Sequence, residues 1–162
     1  MGKADLEAVD LSKGDALIVV DVQNCFLPGG ALGVPEGDTV VPPLNRAIER
    51  FERKGLPLFF SRDWHPPDHC SFSEHGGAWP PHGIRDTAGA AFASNLHIPP
   101  DAVIISKATA RRQEQYSAME GRDAGGRSLG SLLADLGVRR IFTGGLATDY
   151  CVLSTVLDAL GL

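Results

Sequence analysis

Four short apolar runs, separated by helical or irregular stretches, constrain the fold of this chain most strongly. They lie at 16–20, 56–60, 102–105 and 140–143. The runs are rich in β-branched and aromatic residues and do not alternate with polar residues, which is typical of strands buried on both faces. They therefore predict a parallel sheet that is covered on both sides.

Three helical patterns lie between or after these runs. Their apolar residues are Leu44, Ile48 and Phe51, then Leu129, Leu132, Leu133 and Leu136, and finally Val152, Val156 and Leu160. Strands that alternate with helices form βαβ units, and right-handed crossovers place the helices on both faces of the sheet. The sequence thus predicts one α/β domain over residues 1–162, with three α/β/α layers around a mostly parallel, doubly wound sheet.

Composition excludes several classes of function. The formal net charge is −5 and there is no cluster of Lys and Arg, so we expect no nucleic-acid partner. No apolar run approaches the roughly 20 residues that span a bilayer, and the N-terminus lacks the features of a signal peptide. We therefore expect a cytoplasmic protein with no membrane partner. Three widely spaced cysteines argue against a disulfide framework and leave a free thiol to explain.

Polar side chains follow all four predicted strands. Asp21 follows the first, Asp63 and His65 follow the second, and Lys107 follows the third. The fourth strand runs into a glycine-containing turn that leads to Cys151. Because ligands bind outside the carboxyl ends of the strands in an open parallel sheet, we expect these side chains to meet at one edge.

Cys151 is the candidate nucleophile, although a lone cysteine is often only a small buried apolar residue. It falls in the first turn of a predicted helix, where the dipole and free N–H groups favour a thiolate and can bind an oxyanion. Asp21 is the candidate base, because a carboxylate at a dry sheet edge can have a raised pKa; the alternative is a capping role. Lys107 would orient the acid, unless it only reaches solvent.

Asp63 and His65 are candidate metal ligands. They stand at positions i and i+2, on one side of an extended segment. His69 and His82 follow on the Pro-, Gly- and His-rich segment 63–100. Carboxylate and imidazole ligands suit a divalent metal such as Zn²⁺, Fe²⁺ or Mn²⁺. The spacing leaves open the alternative that these are exposed loop histidines.

Five motifs, in order from about residue 15 to the end, resemble those of the nicotinamidases, which belong to the isochorismatase-like cysteine hydrolases. They are VDVQN at 20–24, SRDWH at 61–65 with DH at 68–69, WPPH at 79–82, ISK at 105–107 and GLATDYCV at 145–152. The resemblance implies an isochorismatase-like hydrolase fold. It also implies an amidohydrolase that deaminates nicotinamide through a cysteine thioester, with one divalent metal orienting the pyridine ring.

The same resemblance implies a role for particular residues. They are the catalytic set Asp21, Lys107 and Cys151, the metal ligands Asp63, His65 and His82 with His69 as a fourth or water-mediated ligand, and Phe26 and Trp79 against the pyridine ring. A cis peptide bond is implied just before Ala147. The N–H groups of Ala147 and Cys151 would then form the oxyanion hole.

The sequence departs from the family pattern at three places. Cys25 stands where many relatives have an acid, and Gly83 stands where a cysteine is common. Relatives also continue with a further strand and helix after the position of Leu162, so we expect a C-terminally short domain with an exposed sheet edge.

Other functions fit some of the same residues. A related cysteine amidase could act on another small amide, such as N-carbamoylsarcosine or a ureido compound. An isochorismatase-type vinyl-ether hydrolase is disfavoured by the candidate metal ligands, and a non-catalytic metal-binding domain is disfavoured by the complete catalytic set. The remaining expectations are a small-molecule partner, nicotinamide, and a homo-oligomer.

Overall fold

A parallel sheet organises residues 9–161, the part of the chain that this computed structural model describes. Its strands are β1 Asp15–Val20, β2 Leu58–Asp63, β3 Val103–Lys107 and β4 Arg140–Gly145, in the order β3-β2-β1-β4. All three neighbouring pairs are parallel, as the sequence predicts. The most buried strand, β1, lies inside the sheet, so the residues that follow it stand near the middle of its carboxyl edge.

Helices cover both faces of the sheet, which gives the three α/β/α layers. They are α1 Val41–Arg53, α2 Leu129–Asp135 and α3 Leu153–Leu160. The side chains of β1 alternate between the faces. Leu17 packs in one core cluster with Phe51 of α1, whereas Ile18 packs in the other with Leu129 of α2. Full burial of each such side chain contributes about 1.5–3 kcal/mol.

Strand β2 is shifted from its predicted position. The apolar run predicts a strand at 56–60, but the ladder with β3 continues to the pair Asp63↔Lys107. The strand extends because main-chain hydrogen bonds to β3 do not require apolar side chains. Asp63 is consequently part of the sheet, held by the ladder, and not a loop residue after it.

The face near β4 carries several exposed apolar side chains. In the described residues β4 pairs only with β1, and Leu157 and Leu160 of α3 are 59% and 79% exposed. Leu162 itself lies outside the described residues. Of the helices between residues 9 and 161, none is long and apolar enough to cross a membrane.

Candidate active site

Lys107 is the centre of a buried cluster at the carboxyl edge of the sheet. Its side chain is fully buried, and its Nζ lies 2.9 Å from Asp21 Oδ2 and 3.6 Å from Cys151 Sγ. The same ammonium also donates a short hydrogen bond to Asp63 Oδ1. The structure thus brings the three predicted catalytic residues together, and it adds a contact with Asp63 that the sequence does not indicate.

Asp21 is placed to accept a proton. It is fully buried, and its Oδ1 accepts a hydrogen bond of 2.7 Å from Ser61 Oγ. Oδ2 forms a buried ion pair with Lys107 Nζ at 2.9 Å. Burial raises the pKa of Asp21, and the negative charge of Asp63 adds to this effect, while Lys107 opposes it. A carboxyl with a raised pKa is suited to general base and acid catalysis.

Asp63 and Lys107 both stay charged. Burial acts to raise the pKa of Asp63, but the Lys107 ammonium holds it well below its ordinary value. Burial acts to lower the pKa of Lys107, but Asp21 and Asp63 hold it well above its ordinary value. Each charge is therefore maintained by the other, as expected for a buried pair with close contact.

Cys151 lies in a buried turn after β4. It lies in a single π-helical turn, Thr148–Val152, that precedes α3, and it is only 7% exposed. Burial raises the pKa of the Cys151 thiol, Lys107 acts against this, and Asp21 and Asp63 add to it. This direction runs against the expectation that the helix terminus favours a thiolate, because burial and two nearby carboxylates act against the lysine. The thiol needs a base.

Asp63, His65 and His82 form a group that fits a metal ion. One potential ligand atom from each lies within 4.8 Å of the others, and all three residues are buried. Nδ1 of His65 lies 3.2 Å from the carbonyl of Ala108, and Nδ1 of His82 lies 2.7 Å from that of Pro80. A carbonyl can only accept, so both Nδ1 atoms carry the proton. The two Nε2 lone pairs then point towards each other, 3.4 Å apart, and suit a cation.

His69 does not join this group. Its Nε2 lies 3.0 Å from the carbonyl of Gln113, and its Nδ1 lies 2.7 Å from Ser71 Oγ. Both ring nitrogens therefore have protein partners, and no lone pair is directed at the three ligands. The ring instead packs against His65, with 4.3 Å between centroids. The structure does not place His69 as a direct fourth ligand, because both of its ring nitrogens already have protein partners, and its water-mediated role stays a prediction.

A cavity of about 300 Å³ opens onto this cluster. Cys151 and the ligands Asp63 and His82 line it, together with Phe26 and Trp79, the two residues expected to contact a ring. This volume is at the lower end of the range for small-molecule sites, which is about 300–1,000 Å³.

Two tyrosines without a role predicted from the sequence, Tyr116 and Tyr150, complete the aromatic wall of the cavity. Trp79 donates a hydrogen bond of 3.0 Å from its indole nitrogen to Tyr116, and its ring meets that of Tyr150 edge-on at 5.1 Å. Tyr150 could have been noticed because it directly precedes Cys151. Tyr116 has no comparable signal, since it reaches the cavity from the loop after β3.

The backbone around Ala147 has the implied form. The Leu146–Ala147 peptide bond is cis, and both Ala147 and Cys151 line the cavity. Their N–H groups are the candidates for an oxyanion hole, because Ala147 caps the turn that carries the thiol.

The two local departures from the family pattern have structural correlates. Burial raises the pKa of Cys25 to about 12, and Cys25 is not among the described residues that line the cavity with Cys151. Gly83 has φ +55°, and an added Cβ would lie 2.8 Å from the Cβ of Asp63. A side chain at position 83 would therefore press on a candidate metal ligand.

The chain is similar to several known proteins in sequence and in fold. The family described as Isochorismatase domain matches residues 15–162. The nicotinamidase of Escherichia coli is 40% identical over 165 residues, which cover 91% of this chain and 76% of that protein. The crystal structure of the pyrazinamidase of Pyrococcus horikoshii in complex with zinc has 49% identity and a TM-score of 0.85, covering 91% of this chain and 79% of the other. A protein from L. infantum in complex with nicotinate has 37% identity and a TM-score of 0.81, with coverage of 93% and 76%.

The fold and the cysteine-containing site define a hydrolase with a candidate metal centre beside a buried cysteine. More specifically, the chain belongs to the isochorismatase domain family.

Proposed function

We propose that this chain is a cysteine amidohydrolase that converts nicotinamide into nicotinate and ammonia. The observation that carries the proposal is the contact of one buried lysine, Lys107, with Asp21, Asp63 and Cys151 at the cavity. The site thus combines a thiol, a carboxyl with a raised pKa and a group of residues that fits a metal ion. All of them lie at or beside one small cavity with an aromatic wall. The similarity to named nicotinamidases supports the substrate.

The reaction begins with Asp21 and Cys151. Asp21 takes the proton from Sγ as the sulfur attacks the amide carbonyl, so a C–S bond forms and the carbonyl electron pair moves onto oxygen. The N–H groups of Ala147 and Cys151 stabilise this oxyanion. The proton held on Asp21 then goes to the amide nitrogen, the C–N bond breaks, and ammonia leaves a thioester on the cysteine.

Hydrolysis of the thioester uses the same carboxylate. Asp21 accepts a proton from water as the water oxygen attacks the acyl carbon. When the C–S bond breaks, the sulfur recovers a proton from Asp21, and the carboxylic acid leaves. Lys107 keeps its charge throughout, since both neighbouring carboxylates raise its pKa. It fixes Asp21 in place and offsets negative charge near the sulfur.

The metal would be held by Asp63, His65 and His82, whose converging ligand atoms fit one divalent ion of zinc, iron or manganese. When bound there, the ion supplies a Lewis-acid position for the pyridine nitrogen and so orients the ring. Phe26 and Trp79 would pack against the ring, at about 0.5–1.5 kcal/mol beyond the gain from area burial.

Ammonia release from nicotinamide, with and without a chelator, tests this proposal. We expect release by the zinc-loaded protein, a large loss after chelation, and recovery when zinc is restored. Hydrolysis of a carbamoyl compound with no turnover of nicotinamide would move the protein to the related amidase function. Failure to hydrolyse either class would favour a metal-binding domain without catalysis.

Three expectations stay predictions: a single domain over residues 1–162, a cytoplasmic location and a homo-oligomeric state.

A further inference from the structure

Gln23 lies where strand β1 leaves the sheet. Asp21, the residue after β1, has φ +49° and still donates its N–H to the carbonyl of Ser61 at 3.1 Å. The next residues turn away, with the N–H of Gln23 bonded to the carbonyl of Asp21 at 2.8 Å. The main chain of β1 therefore stops before it reaches Asp63, although β2 continues to that residue.

The Gln23 side chain takes the place of the missing main chain. Its Oε1 accepts a hydrogen bond of 2.8 Å from the N–H of Asp63, and its Nε2 donates one of 2.9 Å to the carbonyl of Asp63. A carboxamide has the same donor and acceptor as a peptide group, so it extends the ladder by one residue. The second Nε2 proton goes to the carbonyl of Ala90 at 2.8 Å. The side chain is fully buried and satisfied.

The residue clamped in this way serves both parts of the site. Oδ1 of Asp63 accepts the short hydrogen bond from Lys107, while Oδ2 lies 3.6 Å from His65 Nε2 and 3.7 Å from His82 Nε2. The direction of this carboxylate depends on where the Asp63 main chain sits. On the β1 side, that main chain is held by the amide of Gln23.

We infer that Gln23 is a positioning residue that places Asp63 for the metal ion and for Lys107. Only a carboxamide of this length offers one acceptor and two donors here. A glutamate would turn a carboxylate oxygen towards two carbonyl oxygens, and Asp63 would shift to relieve the repulsion. The inference rests on the metal site of the proposed function and adds a residue that does not touch the metal.

Zinc affinity of the purified full chain tests this role, measured by competition with a chromogenic chelator. We expect Gln23→Glu to weaken Zn²⁺ binding by about 10–100-fold, the usual effect of disturbing a group that orients a metal ligand. Asn45→Asp is the matched control, because Asn45 clamps the carbonyl of Asn95 and the N–H of His97, each at 2.8 Å, in the same way. It should leave zinc affinity unchanged even if it lowers the thermal midpoint.

An unchanged zinc affinity in folded Gln23→Glu would overturn the inference, and so would equal weakening by the control. If Gln23→Glu does not fold, Gln23→Met is used instead, because it keeps the side-chain volume without adding charge. Its zinc affinity is compared with that of Asn45→Asp in the same way. Failure of both variants to fold would make Gln23 a core residue and would also overturn it. The test measures zinc affinity and not amidase activity. If the wild-type protein binds zinc but does not hydrolyse nicotinamide, the proposed amidase function is wrong, while the positioning role of Gln23 can still be tested.

Discussion

The site has two halves that treat charge differently. In the catalytic half, Asp21, Lys107 and Cys151, a buried ammonium lies within reach of a carboxylate and a thiol. In the metal half, one potential ligand atom from each of Asp63, His65 and His82 lies within 4.8 Å of the others. The catalytic half contains its own cation, the Lys107 ammonium, whereas the metal half offers ligand atoms for an added cation.

The contact of Lys107 with Asp63 joins the halves. Two buried carboxylates share this one ammonium, so the cluster would carry a net negative charge if both were ionised. Burial and the charge of Asp63 raise the pKa of Asp21, and a cation in the metal half would offset the negative charge by attraction. Loss of the lysine should therefore disturb the fold, while loss of a histidine should disturb mainly metal binding.

Replacing the nucleophile should give the largest effect. We expect Cys151→Ala to reduce amidase activity by at least about 10³-fold, given losses near 10⁶-fold for the nucleophile in a related type of catalysis. Zinc content and the circular dichroism spectrum should stay normal, because the thiol belongs to the catalytic half. Cys25→Ala is the matched control, since it also removes a buried thiol, and it should keep its activity. A folded Cys151→Ala protein with near-normal turnover would show that another group attacks the amide.

Replacing the shared lysine, Lys107, should have the next largest effect, in this case on stability. Lys107→Met leaves Asp21 and Asp63 buried without their cation, which should cost about 3–5 kcal/mol of unfolding free energy. Urea denaturation of the metal-free protein measures it. Arg140→Met is the comparison, because Arg140 pairs with the buried Asp15 but is itself half exposed, and it should cost less. An equal loss of unfolding free energy in the two variants would mean that the buried cluster around Lys107 contributes no more to stability than a half-exposed ion pair.

Much of this arrangement could be predicted from the sequence, and the reason is topological. Parallel strands end at one edge, so Asp21, Lys107 and Cys151 had to meet once the apolar runs were recognised as strands. The i, i+2 spacing likewise put Asp63 and His65 on one side. Side-chain partners could not be predicted in this way. The contact of Lys107 with Asp63, the double engagement of His69 and the clamp by Gln23 depend on distances that no pattern in the sequence encodes.

Loss of a histidine should affect the metal half alone. His82→Ala removes one of three ligands, so zinc should bind at least about 100-fold more weakly, beyond the 10–100-fold typical of groups outside the ligand set. The metal-free stability should fall by less than in Lys107→Met. His97→Ala, on the surface beside Glu52, is the control. Zinc binding that survives in His82→Ala would remove that residue from the metal half.

A smaller effect concerns the pH dependence of kcat/KM. Asp21 must be ionised to accept the thiol proton, and its pKa is raised above the ordinary 3.8. Activity should therefore be lost, as pH falls, at values above 3.8. The hydrogen bond from Ser61 lowers the pKa of Asp21, so Ser61→Ala should move this loss to still higher pH. A shift in the opposite direction would mean that another group sets the acid limb.

The most direct test of the two halves is to compare nicotinamide and benzamide with zinc-loaded and zinc-free protein. Benzamide keeps the amide and the ring but lacks the nitrogen that the ion would orient. We predict a much higher kcat/KM for nicotinamide in the loaded protein, and a fall towards the benzamide value when zinc is removed, with benzamide little changed. Equal rates for the two amides in loaded protein, or an equal fall for both on zinc removal, would contradict a metal that only orients the substrate.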